Sequence, residues 1–256
     1  MILGIVAALH EEIEQILADM AHGATRQRIA MRDYHLGRIS GVDCVVVLAR
    51  VGKVAAAATA TALIEHFGVD RIVFTGVAGG VAHGLSIGDV VIADALVQHD
   101  LDARPFFPLH EMPLLGLARC PVDSRLSSQL RSAAGTFLQE RLRQTTRPAV
   151  LERFGIRAPR VHCGLVASGD QFIGSAQRVA ALRSSLPDVL AVEMEGAAVA
   201  QVCYEYGVPF ALMRTLSDTA DDQAHADFPR FLREVASSYA HGILTLLLQS
   251  MRTERG

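Results

Sequence analysis

The feature that most constrains the fold of this chain is a pair of apolar, strand-like runs that each lead into carboxylates. Leu190 to Val192 runs into Glu193-Met194-Glu195-Gly196-Ala197, and Pro209 to Met213 runs into Arg214-Thr215-Leu216-Ser217-Asp218-Thr219-Ala220-Asp221. Apolar strands of this kind are buried in α/β proteins, whose ligands are met at the carboxyl ends of the strands. Two strand ends that carry carboxylates therefore mark an expected active site.

The rest of the pattern alternates between strand and helix. Ile2 to Ala8 reads as a strand and Glu11 to Met20, with apolar residues at Ile13, Ile16, Leu17 and Met20, as a helix. Ile29 to Ile39 and Val42 to Leu48 read as strands joined across Ser40-Gly41, followed by an Ala-rich helix from Val54 to His66 and a buried strand from Arg71 to Thr75. Gly88 to Leu96 is a further strand, whereas Asp100 to Leu117, with its prolines and adjacent phenylalanines, reads as an irregular loop. Asp123 to Leu142 is helical in composition, and Thr145 to Pro159 reads as a polar surface insertion. Strand at Val161 to Ser168, helix at Ser175 to Leu186, helix at Gly196 to Tyr206, strand from Pro209 to Leu216 and a closing helix from Asp227 to about Met251 complete the chain. This alternation predicts an α/β fold, a single-domain αβα sandwich whose central twisted sheet is mixed but largely parallel, with helices on both faces.

At 256 residues, half of them hydrophobic, the chain can bury one sizeable core, and one domain over residues 1–256 is expected. A net charge of −3 and the absence of any Lys/Arg run offer no basic face for a phosphate backbone, so no nucleic-acid partner is expected. No apolar run approaches the roughly 18 residues that span a bilayer. Met1 leads directly into a strand-like run without a basic leader, so the expected location is cytoplasmic, with no membrane partner. Cys44, Cys120, Cys163 and Cys203 are far apart and form no CxxC pair, which predicts buried free thiols rather than a zinc site or a disulfide framework.

Three further segments carry candidate chemistry. Thr75-Gly76-Val77-Ala78-Gly79-Gly80 follows a buried strand; it is either a tight turn or a loop whose backbone N–H groups approach a ligand. Its glycine spacing is not that of a dinucleotide fingerprint, and Val51-Gly52-Lys53-Val54 lacks the flanking residues of a P-loop. His10-Glu11-Glu12 stands where the first strand meets the first helix; its acids are either favourable charges at a helix N-terminus or a general base facing other carboxylates. A zinc-protease pair would need His at position 14, where Glu14 stands. Glu193 and Glu195 are either helix-terminal acids or acceptors for two adjacent ribose hydroxyls. Ser217, Asp218 and Asp221 could form an N-cap cluster, but Asp218 directly after so apolar a strand is expected to be desolvated and to hold its proton, as a general acid must.

Taken in order, these segments resemble the nucleoside phosphorylase superfamily, and most closely its 5'-methylthioadenosine/S-adenosylhomocysteine nucleosidases. The resemblance runs through Gly4-Ile5-Val6 to Glu12, Val51 to Ala55, Thr75 to Gly80, Gly88 to Val91, His99-Asp100, Ser168-Gly169-Asp170-Gln171-Phe172-Ile173, Val192 to Glu195 and Arg214 to Asp221. It implies a nucleoside phosphorylase-like fold and hydrolysis of the N-glycosidic bond of 5'-thio-adenosines, with a small-molecule nucleoside as substrate and no metal or redox cofactor. Asp218 matches the acid that protonates N7 of the departing adenine, and Glu12 the base that activates water. Glu195 matches the acceptor of the ribose hydroxyls, Met194 the residue beneath the sugar, and Glu193 and Arg214 their polar support. Phe172 would stack on adenine, the Ile173 backbone would read its edge, and Phe228 would line the sugar side. Ser217 and Val51 fall within the same motifs.

The chain departs from the family pattern at three places. Val77 stands where the nucleosidases carry Ser, Arg50 where they carry a small residue, and Ala103 where a larger residue, together with an aromatic that is Phe106 here, reaches into the neighbouring subunit's pocket. That implied sharing, and the apolar Phe106, Phe107, Met112, Leu114 and Leu115, predict a homodimer. Three alternatives remain at this level: a phosphorolytic enzyme in which Arg50 meets the anion, a nucleoside-binding module without catalysis, and a hydrolase of another purine nucleoside such as futalosine.

Overall fold

In the computed structural model, residues 1–20, 23–218 and 224–253 are described, residues 224–227 by their backbone alone. Thr219, Ala220 and Asp221, expected near the site, lie outside the described residues. The elements in chain order are β1 (Ile2–Ala7), a 3₁₀ turn (His10–Glu12), α1 (Glu14–Met20), β2 (Thr25–Ile29), β3 (Arg32–Ile39), β4 (Val42–Leu48), α2 (Lys53–Phe67), β5 (Arg71–Phe74), β6 (Val77–Gly80), β7 (Val90–Gln98) and β8 (Cys120–Pro121). There follow α3 (Ser124–Thr136), a π turn (Phe137–Arg141), α4 (Leu142–Thr145), α5 (Pro148–Arg153), β9 (Val161–Ser168), α6 (Ala176–Ser185), β10 (Val189–Glu193), α7 (Gly196–Tyr206), β11 (Phe210–Asp218), α8 (Ala224–Phe231), a second π turn (Leu232–Ala236) and α9 (Ser237–Thr253).

All these strands belong to one mixed sheet in the order β2-β3-β4-β1-β5-β11-β6-β10-β9-β7-β8. β1 runs parallel to β4 and β5, and the alternation of its side chains serves both faces. Ile5 joins the core beneath α9, with Ile243, Leu244 and Leu247, while Val6 joins the core beneath α2 and α7, with Ala60, Leu63 and Val199. Burying one such side chain is worth about 1.5–3 kcal/mol, so a strand covered on both faces is held strongly in register. Gly196 shows how closely α7 sits on the sheet: a Cβ there would lie 2.3 Å from Leu212 Cδ1 and 2.7 Å from Leu96 Cδ2.

The sheet does not stay open. β11 pairs with β5 through Phe210–Leu212, then runs antiparallel to β7 through Met213–Thr215 and parallel to β6 through Thr215–Asp218. Because β7 continues to β9, β9 to β10 and β10 to β6, these strands close into a ring, and the carboxyl ends of β10 and β11 converge across β6. The antiparallel share is larger than the early hairpin alone predicts, since β6–β10, β7–β8 and β7–β11 also run antiparallel.

Four expectations are corrected. The glycine run is neither a plain turn nor a loop throughout, because Val77 to Gly80 is strand β6, whose backbone is needed to close the ring. Ile29 to Ile39 is not one strand: Ala30 and Met31 adopt positive φ (47° and 62°) and turn β2 back onto β3. The Thr145 to Pro159 segment is not a polar insertion, since α5 and its C-terminal end bury Val150, Leu151, Phe154 and Ile156 in the core. Of the cysteines, Cys163 is exposed on β9 whereas Cys44, Cys120 and Cys203 are buried. Asp100 to Leu117 does lack regular elements, apart from a bridge between Met112 and Leu117. Among the described residues no helix is long and apolar enough to cross a membrane.

Candidate active site

One cavity opens at the carboxyl ends of the strands, and the sequence motifs meet in it: Glu12, Val51, Val77, Phe172, Ile173, Glu193, Met194, Glu195, Asp218 and Phe228 all line its wall. They come from seven separate stretches of chain.

Glu12 arrives on the 3₁₀ turn after β1. The turn folds its side chain back so that Oε2 accepts from the Ala8 and Leu9 N–H groups at 2.8 Å each, while Oε1 accepts from the Val77 N–H at 3.1 Å. The carboxylate thus ties its own turn and also faces β6. Gly76 is what lets the strand come this close: a Cβ there would stand 2.7 Å from Glu12 Oε1. Burial pushes the Glu12 carboxyl above its ordinary range, although the Arg214 charge and three backbone N–H groups pull it down. A basic carboxylate in a protected site is what proton abstraction from water requires.

Glu193, Met194 and Glu195 occupy the turn from β10 into α7, which aims all three at the cavity rather than alternating them across a strand. Glu193 is fully engaged. Its carboxylate receives the Ser168 hydroxyl, the Glu195 N–H at 3.1 Å, the Gly196 N–H at 2.8 Å and the Arg214 guanidinium at 2.6 Å. Arg214 is buried and rests over the Phe74 ring, 4.2 Å from its centroid. The pair thus fixes the turn and does not itself offer acceptors to a ligand. Glu195 differs, because its Oε1 accepts the Gly52 N–H at 2.9 Å and burial, with the neighbouring Glu193 charge, pushes its carboxyl up to about 8.

Asp218 ends β11 and is buried, with the Ser217 hydroxyl donating to its Oδ2 at 2.7 Å. Both residues lie in strand, so the N-cap reading is set aside for these two. On the far side, Phe172 and Phe228 meet edge to face with ring centroids 5.9 Å apart, and form an aromatic wall beside Ile173.

Arg214 and Ser217 do not line the cavity themselves but bond to Glu193 and Asp218, which do. Arg50 is not brought to the cavity: its guanidinium is turned outwards and donates to the Met31 carbonyl at 2.7 Å. Ala103 and Phe106 do not line it either, and the Phe106 side chain is 87 % exposed. Ala8, Leu9, Ala78, Gly79, Gln171 and Val192 complete the wall; Ala78, Gly79, Gln171 and Val192 lie inside the motifs and Ala8 and Leu9 just before His10, but none had been given a role of its own. Among the described residues no group of His, Cys, Asp and Glu could hold a metal ion.

Comparison with known proteins identifies the family. The model of the phosphorylase superfamily matches residues 2–249, and the chain belongs to that superfamily. It is 35 % identical over 248 residues to the 5'-methylthioadenosine/S-adenosylhomocysteine nucleosidase of Actinobacillus succinogenes, covering 96 % of this chain and 98 % of that one. The solved structure of the Neisseria meningitidis nucleosidase in complex with methylthio-immucillin-A superposes with a TM-score of 0.85 at 32 % identity, covering 97 % and 99 % of the two chains. A futalosine hydrolase of Helicobacter pylori superposes at 0.80 with 31 % identity, covering 96 % and 97 %. Within the superfamily the chain falls among the 5'-methylthioadenosine/S-adenosylhomocysteine nucleosidases.

Proposed function

We propose that this protein hydrolyses the N-glycosidic bond of adenine nucleosides of the 5'-methylthioadenosine/S-adenosylhomocysteine type, releasing adenine and a 5-thioribose. The observation that carries this reading is the convergence of Glu12, Glu195 and Asp218 on one cavity that also offers the Phe172–Phe228 wall. Breaking the bond poses two problems: adenine leaves poorly as an anion, and the sugar becomes cation-like. Asp218 protonates N7 of the base, steered by Ser217. The surrounding carboxylates stabilise the sugar, and Glu12 takes the proton from the attacking water. Glu195 accepts the ribose hydroxyls, Met194 packs beneath the ring, Phe172 stacks on adenine and the Ile173 backbone meets its edge.

Water is favoured over phosphate because none of the described residues lining the cavity is Arg or Lys, and Arg50, the candidate anion ligand, is held by Met31. A phosphate dianion would lack cationic donors and face the Glu12 carboxylate. We also propose a homodimer in which the loop carrying Ala103 and Phe106 closes the partner's cavity at the 5' end of the substrate.

The test follows adenine release from 5'-methylthioadenosine in phosphate-free buffer and again with added phosphate, with the sugar product identified. Undiminished turnover without phosphate and a free sugar are expected. A strict phosphate requirement with a sugar 1-phosphate, or turnover confined to futalosine in a substrate panel, would overturn the assignment.

A further inference from the structure

Lys53, Asp100 and Asp170 are motif residues to which the mechanism gives no role, yet they form a clamp that ends on the cavity. Asp100, just after β7, receives the Lys53 ammonium on Oδ1 at 2.6 Å and the Asp170 N–H on Oδ2 at 2.8 Å. Asp170, just after β9, returns its own Oδ1 to the Lys53 N–H at 2.8 Å, and Gln98 gives the ammonium a second acceptor at 3.1 Å. Two chain segments are thereby closed around the first turn of α2, which Lys53 opens. The residue immediately before that turn is Gly52, whose N–H is the donor to Glu195. Gly52 adopts a φ of 100°, which glycine takes without strain but L side chains avoid; because glycine is free to take many other conformations, this orientation is selected by the contacts of its neighbours. The clamp is semi-enclosed, with Lys53 and Asp100 side chains 17 % and 15 % exposed, and screening by solvent is reduced accordingly. Although burial opposes it, the Lys53 ammonium and the Asp170 N–H hold the Asp100 carboxyl below its usual range, so the clamp carries its negative charge at neutral pH.

We propose that Asp100, Lys53 and Asp170 are positioning residues that act through the Gly52 N–H to hold Glu195 in place for the vicinal hydroxyls of a ribonucleoside. The inference rests on the reading of Glu195 given above. Without the clamp, Gly52 is released from this geometry and Glu195 loses an N–H donor in a site it shares with the Glu193 and Glu12 carboxylates and the Arg214 charge. The removal of that donor raises the Glu195 carboxyl further and leaves more of it protonated at pH 7, a form that gives up acceptor capacity.

A merely structural clamp would affect every ligand alike, whereas a clamp that serves Glu195 discriminates by the sugar. The experiment compares adenosine with 2',3'-dideoxyadenosine, which differ only at those hydroxyls, for wild type, Asp100→Asn and Lys53→Met. Binding is measured by titration calorimetry and turnover by adenine release. In both variants a loss of roughly tenfold or more is expected for adenosine, carried mainly by affinity and KM, with a change below about twofold for the dideoxy compound. The pH at which adenosine KM improves is expected to move upwards, and Lys53→Arg, which keeps a cation beside Asp100, to restore most of the loss. Equal losses with both nucleosides, no loss, or a wild type that binds the two equally would overturn the proposal. A wild type that binds adenosine preferentially but releases no adenine would instead sink the hydrolase reading and leave the positioning role standing.

Discussion

Arg214 and Glu193 form an ion pair 2.6 Å long with both side chains 2 % exposed, and the two residues sit on β11 and β10, strands that flank β6 on either side. The pair joins the two carboxylate-bearing strand ends from behind the cavity. Its charges are neutralised by further bonds, from the Ser168 hydroxyl and two N–H groups to Glu193, and by the Phe74 ring face to Arg214. Removing one member of such a pair strands the other without compensation. Arg214→Met is therefore expected to destabilise the protein by about 3–5 kcal/mol, read from the urea midpoint at unchanged slope. A loss below about 1 kcal/mol would show that Glu193 is satisfied without it.

Asp218→Asn keeps the volume and the Ser217 contact but cannot supply a carboxylic proton. Turnover of adenine nucleosides is expected to fall by about 10²- to 10⁴-fold with the fold intact by circular dichroism. A variant that retains half the wild-type rate would remove Asp218 from the mechanism. Glu12→Gln should stop hydrolysis by the same logic. It should also cost about 1–3 kcal/mol of stability, since its NH₂ must face either the Val77 N–H or the Ala8 and Leu9 pair.

Gly76→Ala tests the closeness of β6 to the base. The added methyl would stand 2.7 Å from Glu12 Oε1 and 3.3 Å from Arg214 Nη1, and Glu12 is held by backbone bonds on both oxygens and cannot swing aside. Displacement of the order of an ångström is expected to lower kcat about 10²-fold. Wild-type kcat in this variant would mean that Glu12 is not used where it stands.

The raised Glu195 carboxyl has a stability consequence opposite in sign to that of most acids. Below about pH 4.5 it is protonated in folded and unfolded chains alike; between there and about 8 the unfolded chain releases a proton that the folded one keeps. Its contribution to stability is therefore lost as pH rises through that window, and Glu12 shifts in the same direction. Tm of the ligand-free protein is expected to fall from pH 5 to 8.5, less steeply in Glu195→Gln. Because the ionised form is the better hydroxyl acceptor, nucleoside binding at pH 7 should release a proton, visible as a buffer-dependent calorimetric enthalpy. Identical pH profiles in wild type and Glu195→Gln would refute the shift.

Phe106 and Leu114 stand 87 % and 91 % exposed on the loop after β7, while Met112, counted with them from the sequence, is buried and Phe107 and Leu115 are half covered. Two large exposed apolar side chains on one loop are the reason to expect a contact there. Sedimentation is expected to give a dimer, and Phe106→Ser with Leu114→Asp to weaken it while leaving the Tm of the monomer unchanged. A wild-type monomer with full activity would refute the shared cavity.

The alternation of buried strands and amphipathic helices was legible in the sequence because period and β-branching are local properties, and they located most elements from β1 to α9. So were the carboxylates that line the cavity: Glu12, Glu195 and Asp218 are charges placed at or just after the ends of apolar runs, where a carboxylate has no packing reason to be. The role of Val77 to Gly80 was not legible, since a run of glycines has no periodicity and its strand exists only through pairing with β10 and β11. The burial of Val150 to Ile156 was hidden by the polar residues between them and decided by the space that Phe231 and Gly88 leave. Arg50 shows the same limit from the other side: its charge suggested an anion, but the direction of its side chain was decided by the Met31 carbonyl across the β2–β3 turn. What only the tertiary structure settled is thus the set of close approaches, Gly76 to Glu12, Gly52 to Glu195 and Arg214 to Glu193, because each depends on segments brought together from far apart in the chain, and no local pattern encodes a distance between them.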